Sequence, residues 1–170
     1  PHLMKSTLRE AIWSVDSKAS LEAIGAELAR DREVKADSEG VLHTTDEAGF
    51  HVGFAVTQRE EITLALPPTN TLGSYARRNQ QADGVRRRRA SPYKAGHLVY
   101  WVPDQAMWDK NARFYVERLG FKPTDNSTNM RFMRAGGSHD HHTLLMQWEP
   151  GVWGFQHVAY EFKDFDEVMY

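Results

Sequence analysis

The stretch HLVYWVPD, residues 97–104, returns as HVAYEFKD at residues 157–164. Each copy is a histidine, two apolar residues, a tyrosine, three further residues and an aspartate. That order reads as a strand running into a helix whose first turn the aspartate caps. After the first copy, WDKNARFYVERL (108–119) is a helix that Gly120 stops, and FKPTD (121–125) begins the return. MRFMRAG (130–136) and HHTLLMQW (141–148) then read as two strands around the turn GGSHD (136–140). Beyond Glu149, Pro150 and Gly151 the pattern restarts with FQHVAYEF (155–162) and a helix near Asp164. The unit is therefore strand, helix, strands, and a histidine opens it twice.

Toward the amino end the same order occurs once more. REAIWSV (9–15) is a strand, Asp16 or Ser17 caps the helix SKASLEAIGAELAR (17–30), and GVLHTTD (40–46) with FHVGFAVTQ (50–58) make a hairpin across the turn DEAG (46–49). Between the two units lies PPTNTLGSYARRNQQADGVRRRRASPYK (67–94), rich in proline, glycine and arginine, which reads as a linker with one short helix at SYARRNQQ (74–81). Its run Arg86 to Arg89 lacks interleaved aromatics and reads as a solvated loop rather than a nucleic-acid contact. The expected division is a module over 1–66, a linker over 67–94, and a second region over 95–170 holding one module and the opening of the next. Each such unit must bury one sheet face against a sister unit, so an α+β fold of repeated βαβββ modules is expected.

Composition narrows the chemistry. A chain of 170 residues, 41% of them hydrophobic, suffices for one domain or two small ones, and a formal net charge of −2 gives no global field toward nucleic acid or an anionic membrane. There is no cysteine, which excludes disulfides, thiolate metal sites and cysteine nucleophiles. Any metal must use histidine and carboxylate, and a reducing cytoplasm is the expected location. No apolar run has the length of a membrane span, and the amino end lacks signal-peptide order. The chain opens Pro-His-Leu-Met and ends at Tyr170 inside a helix-like pattern, so both ends are expected to be cut.

With these segments in hand, the sequence resembles the vicinal oxygen chelate superfamily, and more narrowly its type I extradiol ring-cleavage dioxygenases. GHLVYWVPD with ARFYVERLGF, FMRAGGSHDHHTLLMQ and GFQHVAYEFKDFDEVM carry the resemblance, and VLHTTDEAGFHVGFAV looks like the closing hairpin of a preceding module. The resemblance implies four modules in two barrel-like domains, of which this chain would hold the second, the third and the start of the fourth. It also implies one iron(II), with manganese(II) as the alternative, held by two histidines and a glutamate. His97 and His157 match the two histidines, and the glutamate would lie beyond Tyr170. Such a set leaves adjacent positions open for a catechol-type substrate and O2.

The chemistry also needs an acid/base beside the metal. DHHT matches the family's segment for it, and the role is assigned to His141, with His142 on the opposite face of the strand as a substrate contact. A bulge there would exchange the two roles. In the first module the matching slots hold Glu10 and Gly53, which fits a metal-free module. The other histidines and aromatics have plainer readings: His139, Asp140, His141 and His142 as a polar turn, His43 and His51 as strand residues, Tyr100 and Tyr160 as module core, and Trp101, Trp108, Trp148 and Trp153 as core or interface. The rival functions are a glyoxalase-like metalloenzyme and a metal-free binding protein on the same scaffold. An incomplete set of modules leaves a face uncovered, so a homo-oligomer is expected.

Overall fold

The structure, a computed structural model, describes residues 8–58, 60–61, 63, 68, 70–76 and 90–169. The arginine run 86–89 and most of the short helix expected at 74–81 lie outside the described residues. Two modules of one topology are present. The first runs β1 (Ala11–Val15), α1 (Lys18–Leu28), β2 (Lys35–Ala36), β3 (Leu42–Thr45), β4 (His51–Val56). The second runs β5 (Lys94–Val102), α2 (Gln105–Arg113) continuing into a π-helical turn (Phe114–Arg118), β6 (Lys122–Asn126), β7 (Met130–Arg134), β8 (Leu144–Trp148). A third copy opens with β9 (Gly154–Glu161) and α3 (Phe165–Val168).

The repeat seen in sequence is a repeat in pairing. In the first sheet the order is β1-β4-β3-β2, with β1 parallel to β4 and the other neighbours antiparallel. In the second the order is β6-β7-β8-β5-β9, again with the opening strand parallel to the closing one. Strand β9 adds to the free edge of β5. The result is a mixed α+β fold with two open mixed sheets.

Local chemistry fixes each strand-to-helix joint. Ser17, extended at φ −153°, accepts from the Ser20 amide at 3.2 Å, and Asp104 accepts from the Met107 amide at 2.8 Å. Both satisfy first-turn amides that lack an intrahelical partner. At the far end of the second helix Gly120 takes φ 71°, and the Phe121 amide donates back to the Tyr115 carbonyl at 3.0 Å. Leu28, Val52 and Phe54 of the first module share one core with Leu98, Tyr100, Val102, Trp108, Tyr115 and Met146 of the second.

Polar contacts seal the same junction. Arg118 donates to Glu27 Oε1 at 3.0 Å, to the Glu27 carbonyl at 2.8 Å and to Asp31 Oδ2 at 2.8 Å. Asp46, only 4% exposed, accepts from the amides of Ala48 and Phe50 through Oδ1, and from Asn111 Nδ2 and the Tyr115 hydroxyl through Oδ2, all at 2.9–3.0 Å. Burial raises the Asp46 pKa, while these four donors act in the opposite direction.

By contact, the described residues of 1–59 and 97–158 form one compact unit, and those of 60–96 and 159–170 form another. These units rest on contacts, whereas the boundaries at 66 and 94 rest on repeat and composition. In the second unit Tyr93 donates its amide to the Glu161 carbonyl at 2.9 Å, Lys94 Nζ meets Glu161 Oε2 at 3.4 Å, and Asp164 caps α3 by accepting from the Glu167 amide at 3.0 Å. Tyr160, expected in a module core, is 53% exposed, whereas Tyr100 is 1% exposed as expected.

Candidate metal centre

Alternation along β5 sends Leu98, Tyr100 and Val102 into the core under α2, so His97 projects from the other face of the sheet. His157, on the neighbouring strand β9, meets it there, with the two Nε2 atoms 3.1 Å apart. The Nδ1 of His157 lies 2.9 Å from Gln156 Oε1, and Gln156 Nε2 in turn donates to Gln147 Oε1 at 3.2 Å. An amide oxygen only accepts, so Nδ1 of His157 donates to it, and in the singly protonated ring Nε2 is the nitrogen with the lone pair. Burial first, and the neighbouring His157 second, lower the His97 pKa and favour its neutral form.

Two imidazole nitrogens bound at right angles, each about 2.1 Å from a metal, would stand about 3.0 Å apart. The His97–His157 pair therefore fits two adjacent positions around a divalent ion, and the Gln156 carbonyl supplies the outer hydrogen bond that fixes a ligand's tautomer. Among the described residues no group of three or more histidines and carboxylates converges to hold a metal.

The pair His141–His142 differs from expectation in its backbone. Strand β8 begins at Leu144, so both histidines lie in the connection before it and strand alternation does not govern them. The Thr143 amide donates to the Met133 carbonyl and the Thr143 hydroxyl accepts from the Ala135 amide, each at 2.9 Å, which ties down this connection. Both rings lie against Phe132, with centroids 5.5 Å away for His141 and 5.0 Å for His142. Only His142 also lies against His97, with ring centroids 4.3 Å apart.

Their environments diverge accordingly. His141 has a 57% exposed side chain, with Nε2 3.9 Å from Asp125 Oδ2. Nε2 of His142 is buried without a hydrogen-bond partner, while its Nδ1 lies 3.0 Å from Nδ1 of His141. Burial, followed by His97 and His141, brings the His142 pKa down to about 4. At neutral pH His142 is an uncharged imidazole with an unused nitrogen beside the His97–His157 pair.

The other sequence candidates fall elsewhere. Glu10 is engaged through both oxygens with His43 Nδ1, at 2.9 and 3.0 Å, and His43 Nε2 meets Asp37 at 3.1 Å. A cavity of about 470 Å³ is lined by Arg113, Val116, Glu117, Asp125 and Arg131 among others, and none of the histidines takes part. No helix among the described residues is long and apolar enough to cross a membrane.

No protein-family model matches the chain, and no curated protein matches it. Solved structures do. A halotolerant catechol dioxygenase superposes with TM-score 0.65 at 18% identity, over 98% of this chain and 54% of its own. The 2,2',3-trihydroxybiphenyl 1,2-dioxygenase of dibenzofuran-degrading Sphingomonas wittichii gives 0.60 at 24% identity, over 95% of this chain and 55% of its own. The Mn(II)-bound glyoxalase of Novosphingobium aromaticivorans gives 0.60 at 19% identity, over 95% of this chain and 48% of its own. The chain thus spans about half the length of the structures it matches, and its two open mixed sheets have the vicinal oxygen chelate fold that these neighbours share.

Proposed function

We propose that this chain carries two of the three metal ligands of an extradiol dioxygenase, His97 and His157, for iron(II) or alternatively manganese(II). In this reading a glutamate outside these 170 residues completes the set. The observation that carries the reading is the meeting of two Nε2 atoms at 3.1 Å from equivalent slots of a repeated module. When bound, the metal would hold a catechol-type substrate and O2 side by side and relay electrons between them, so that oxygen enters the ring beside the diol.

The chain's own residues supply the rest. Gln156 holds the His157 ring in the tautomer whose Nε2 is free. His142 is the acid/base: its unpartnered Nε2 takes a proton from a catechol hydroxyl and later returns it to the reacting oxygen. Phe132 keeps that ring in place, and His141 orients it through the contact between their Nδ1 atoms. This reading exchanges the roles expected from sequence, and its support is that His142, not the exposed His141, packs against His97.

The test is anaerobic titration with Co(II), whose visible spectrum reports its ligands, on the wild type, His97→Ala and His157→Ala. Each substitution should weaken binding by about tenfold or more. Equal affinity in wild type and both variants would overturn the reading. For the activity itself, oxygen uptake matched to catechol consumption should fall on His142→Ala far more than on His141→Ala.

A further inference from the structure

We infer that Phe50, in the module without histidine ligands, positions the two histidine-bearing strands by standing between Tyr100 and Trp153; this rests on the reading of His97 and His157 as a metal pair. The Phe50 ring stacks on Tyr100 with centroids 3.9 Å apart and planes 11° apart, and on Trp153 at 4.6 Å and 3°. Three nearly parallel rings therefore form one column with Phe50 in the middle. Tyr100 belongs to β5, the strand of His97, and faces the core while His97 faces away. Trp153 immediately precedes β9, the strand of His157.

A second contact holds the same indole. Trp153 Nε1 donates to the Ala48 carbonyl at 2.8 Å, so the β3–β4 turn of the first module grips Trp153 by its face and by its polar edge. That turn is itself anchored. Asp46 at its start accepts from Asn111 and Tyr115, which belong to the second module's helix, and Asn111 Oδ1 accepts from the Glu47 amide at 3.0 Å.

The need for such a device follows from the sheet order. Among the described residues, strand β9 lies at the edge and pairs only with β5, so ladder hydrogen bonds fix it there on one side. A slip of one residue along a strand moves a side chain by about 3.3 Å and to the other face. That displacement is as large as the His97–His157 separation. Fixing both strands to a single ring sets the spacing of the two nitrogens through a part of the chain that offers no ligand.

The experiment is Co(II) titration of the purified chain, reading both dissociation constant and visible spectrum, for the wild type, Trp153→Leu, Trp153→Phe and Asp104→Ala. Trp153 is 42% exposed and lies outside the set of buried core residues, so its replacement removes one face of the Phe50 stack and no buried side chain. Asp104→Ala is the control for general destabilisation, because it removes a helix cap and touches no ring of the column. Trp153→Leu should weaken Co(II) by about tenfold, the scale of lost outer-contact support, and alter the spectrum, while Trp153→Phe and Asp104→Ala stay within about threefold of wild type. Wild-type binding with Trp153→Leu unchanged, or weakened no more than Asp104→Ala, overturns the positioning role and leaves the metal reading standing. A folded wild type that binds no Co(II) overturns both.

Discussion

Replacing Tyr115 by phenylalanine tests how the two modules are joined. The Tyr115 side chain is fully buried and its hydroxyl donates to Asp46 Oδ2 at 3.0 Å. The substitution keeps the ring, and with it the edge contacts to Phe114 at 5.2 Å and Phe121 at 5.1 Å, so the loss is confined to one hydrogen bond to a buried carboxylate. Such bonds contribute about 1.5–3 kcal/mol, and we expect a loss of about 2 kcal/mol. For a chain of this length that is a fall of about 4–8 °C in Tm.

Asn111→Ala should cost more, about 3–5 kcal/mol, because it removes a second donor to Asp46 and also strands the Glu47 amide that Asn111 Oδ1 accepts from. The pH dependence has a definite sign. Burial raises the Asp46 pKa above 3.8, so the folded chain holds that proton more tightly than the unfolded one. The contribution of Asp46 is therefore most favourable below the unfolded value and is lost as pH rises through the folded one. Removing the Tyr115 donor raises the folded pKa further. The penalty of Tyr115→Phe should be small in acid, grow as pH rises and then level off. Urea unfolding followed by tryptophan fluorescence at several pH values measures it. A penalty below about 0.5 kcal/mol at neutral pH would refute the claim that this hydroxyl supports an ionised, buried carboxylate.

Two further outcomes are expected in the first module. His43 sits between Glu10 and Asp37, whose hydrogen bonds raise its pKa above 6.5. Its stabilising contribution is complete below that value and is lost as pH rises through the folded pKa, so in paired urea titrations His43→Gln should remove a fall in stability above neutrality. An identical pH profile for the two proteins would contradict this. At Gly53 an added Cβ would lie 3.1 Å from both Glu10 Oε1 and Ile12 Cγ1 and 3.2 Å from the Leu42 carbonyl. Gly53→Ala should therefore cost about 1–3 kcal/mol through overpacking, measured by thermal unfolding, and a neutral or stabilising effect would show that the site has room.

What the sequence disclosed was local. The caps at Ser17, Asp104 and Asp164, the stop at Gly120 and the turn at 46–49 each depend on a few neighbouring residues, and each stands where its residue type demands. The β2 strand, Lys35–Ala36, is only two residues of edge and has no period to detect. The π-helical turn at 114–118 leaves no mark in the apolar pattern that an α-helix would not leave. The start of β8 was hidden for a related reason: HHTLLMQW looks like one strand, but Thr143 is drawn into hydrogen bonds with Met133 and Ala135, and the strand starts after it. The role of Phe50 had no local signal at all, since Tyr100 and Trp153 reach it from distant parts of the chain.

The modules share one slot and fill it differently. Ser17, Asp104 and Asp164 cap equivalent helices, and at the same distance before each stand Glu10, His97 and His157. One slot thus carries a carboxylate in the first module and an imidazole in the other two. In the first, the slot is closed on itself: both oxygens of Glu10 are taken by His43, the far nitrogen of His43 by Asp37, and Gly53 leaves the space that the carboxylate occupies. Both nitrogens of His43 are thus engaged by carboxylates of its own module. In the second and third, two rings meet through their Nε2 atoms, and a neutral His142 stands alongside with an unused nitrogen. At 3.1 Å one Nε2–H can donate to the other Nε2, and a divalent metal bound by both lone pairs would take that proton's place. The repeat therefore places a polar group at every strand opening, answered by the imidazole of His43 on β3 in the first module and by a second imidazole where β5 and β9 adjoin.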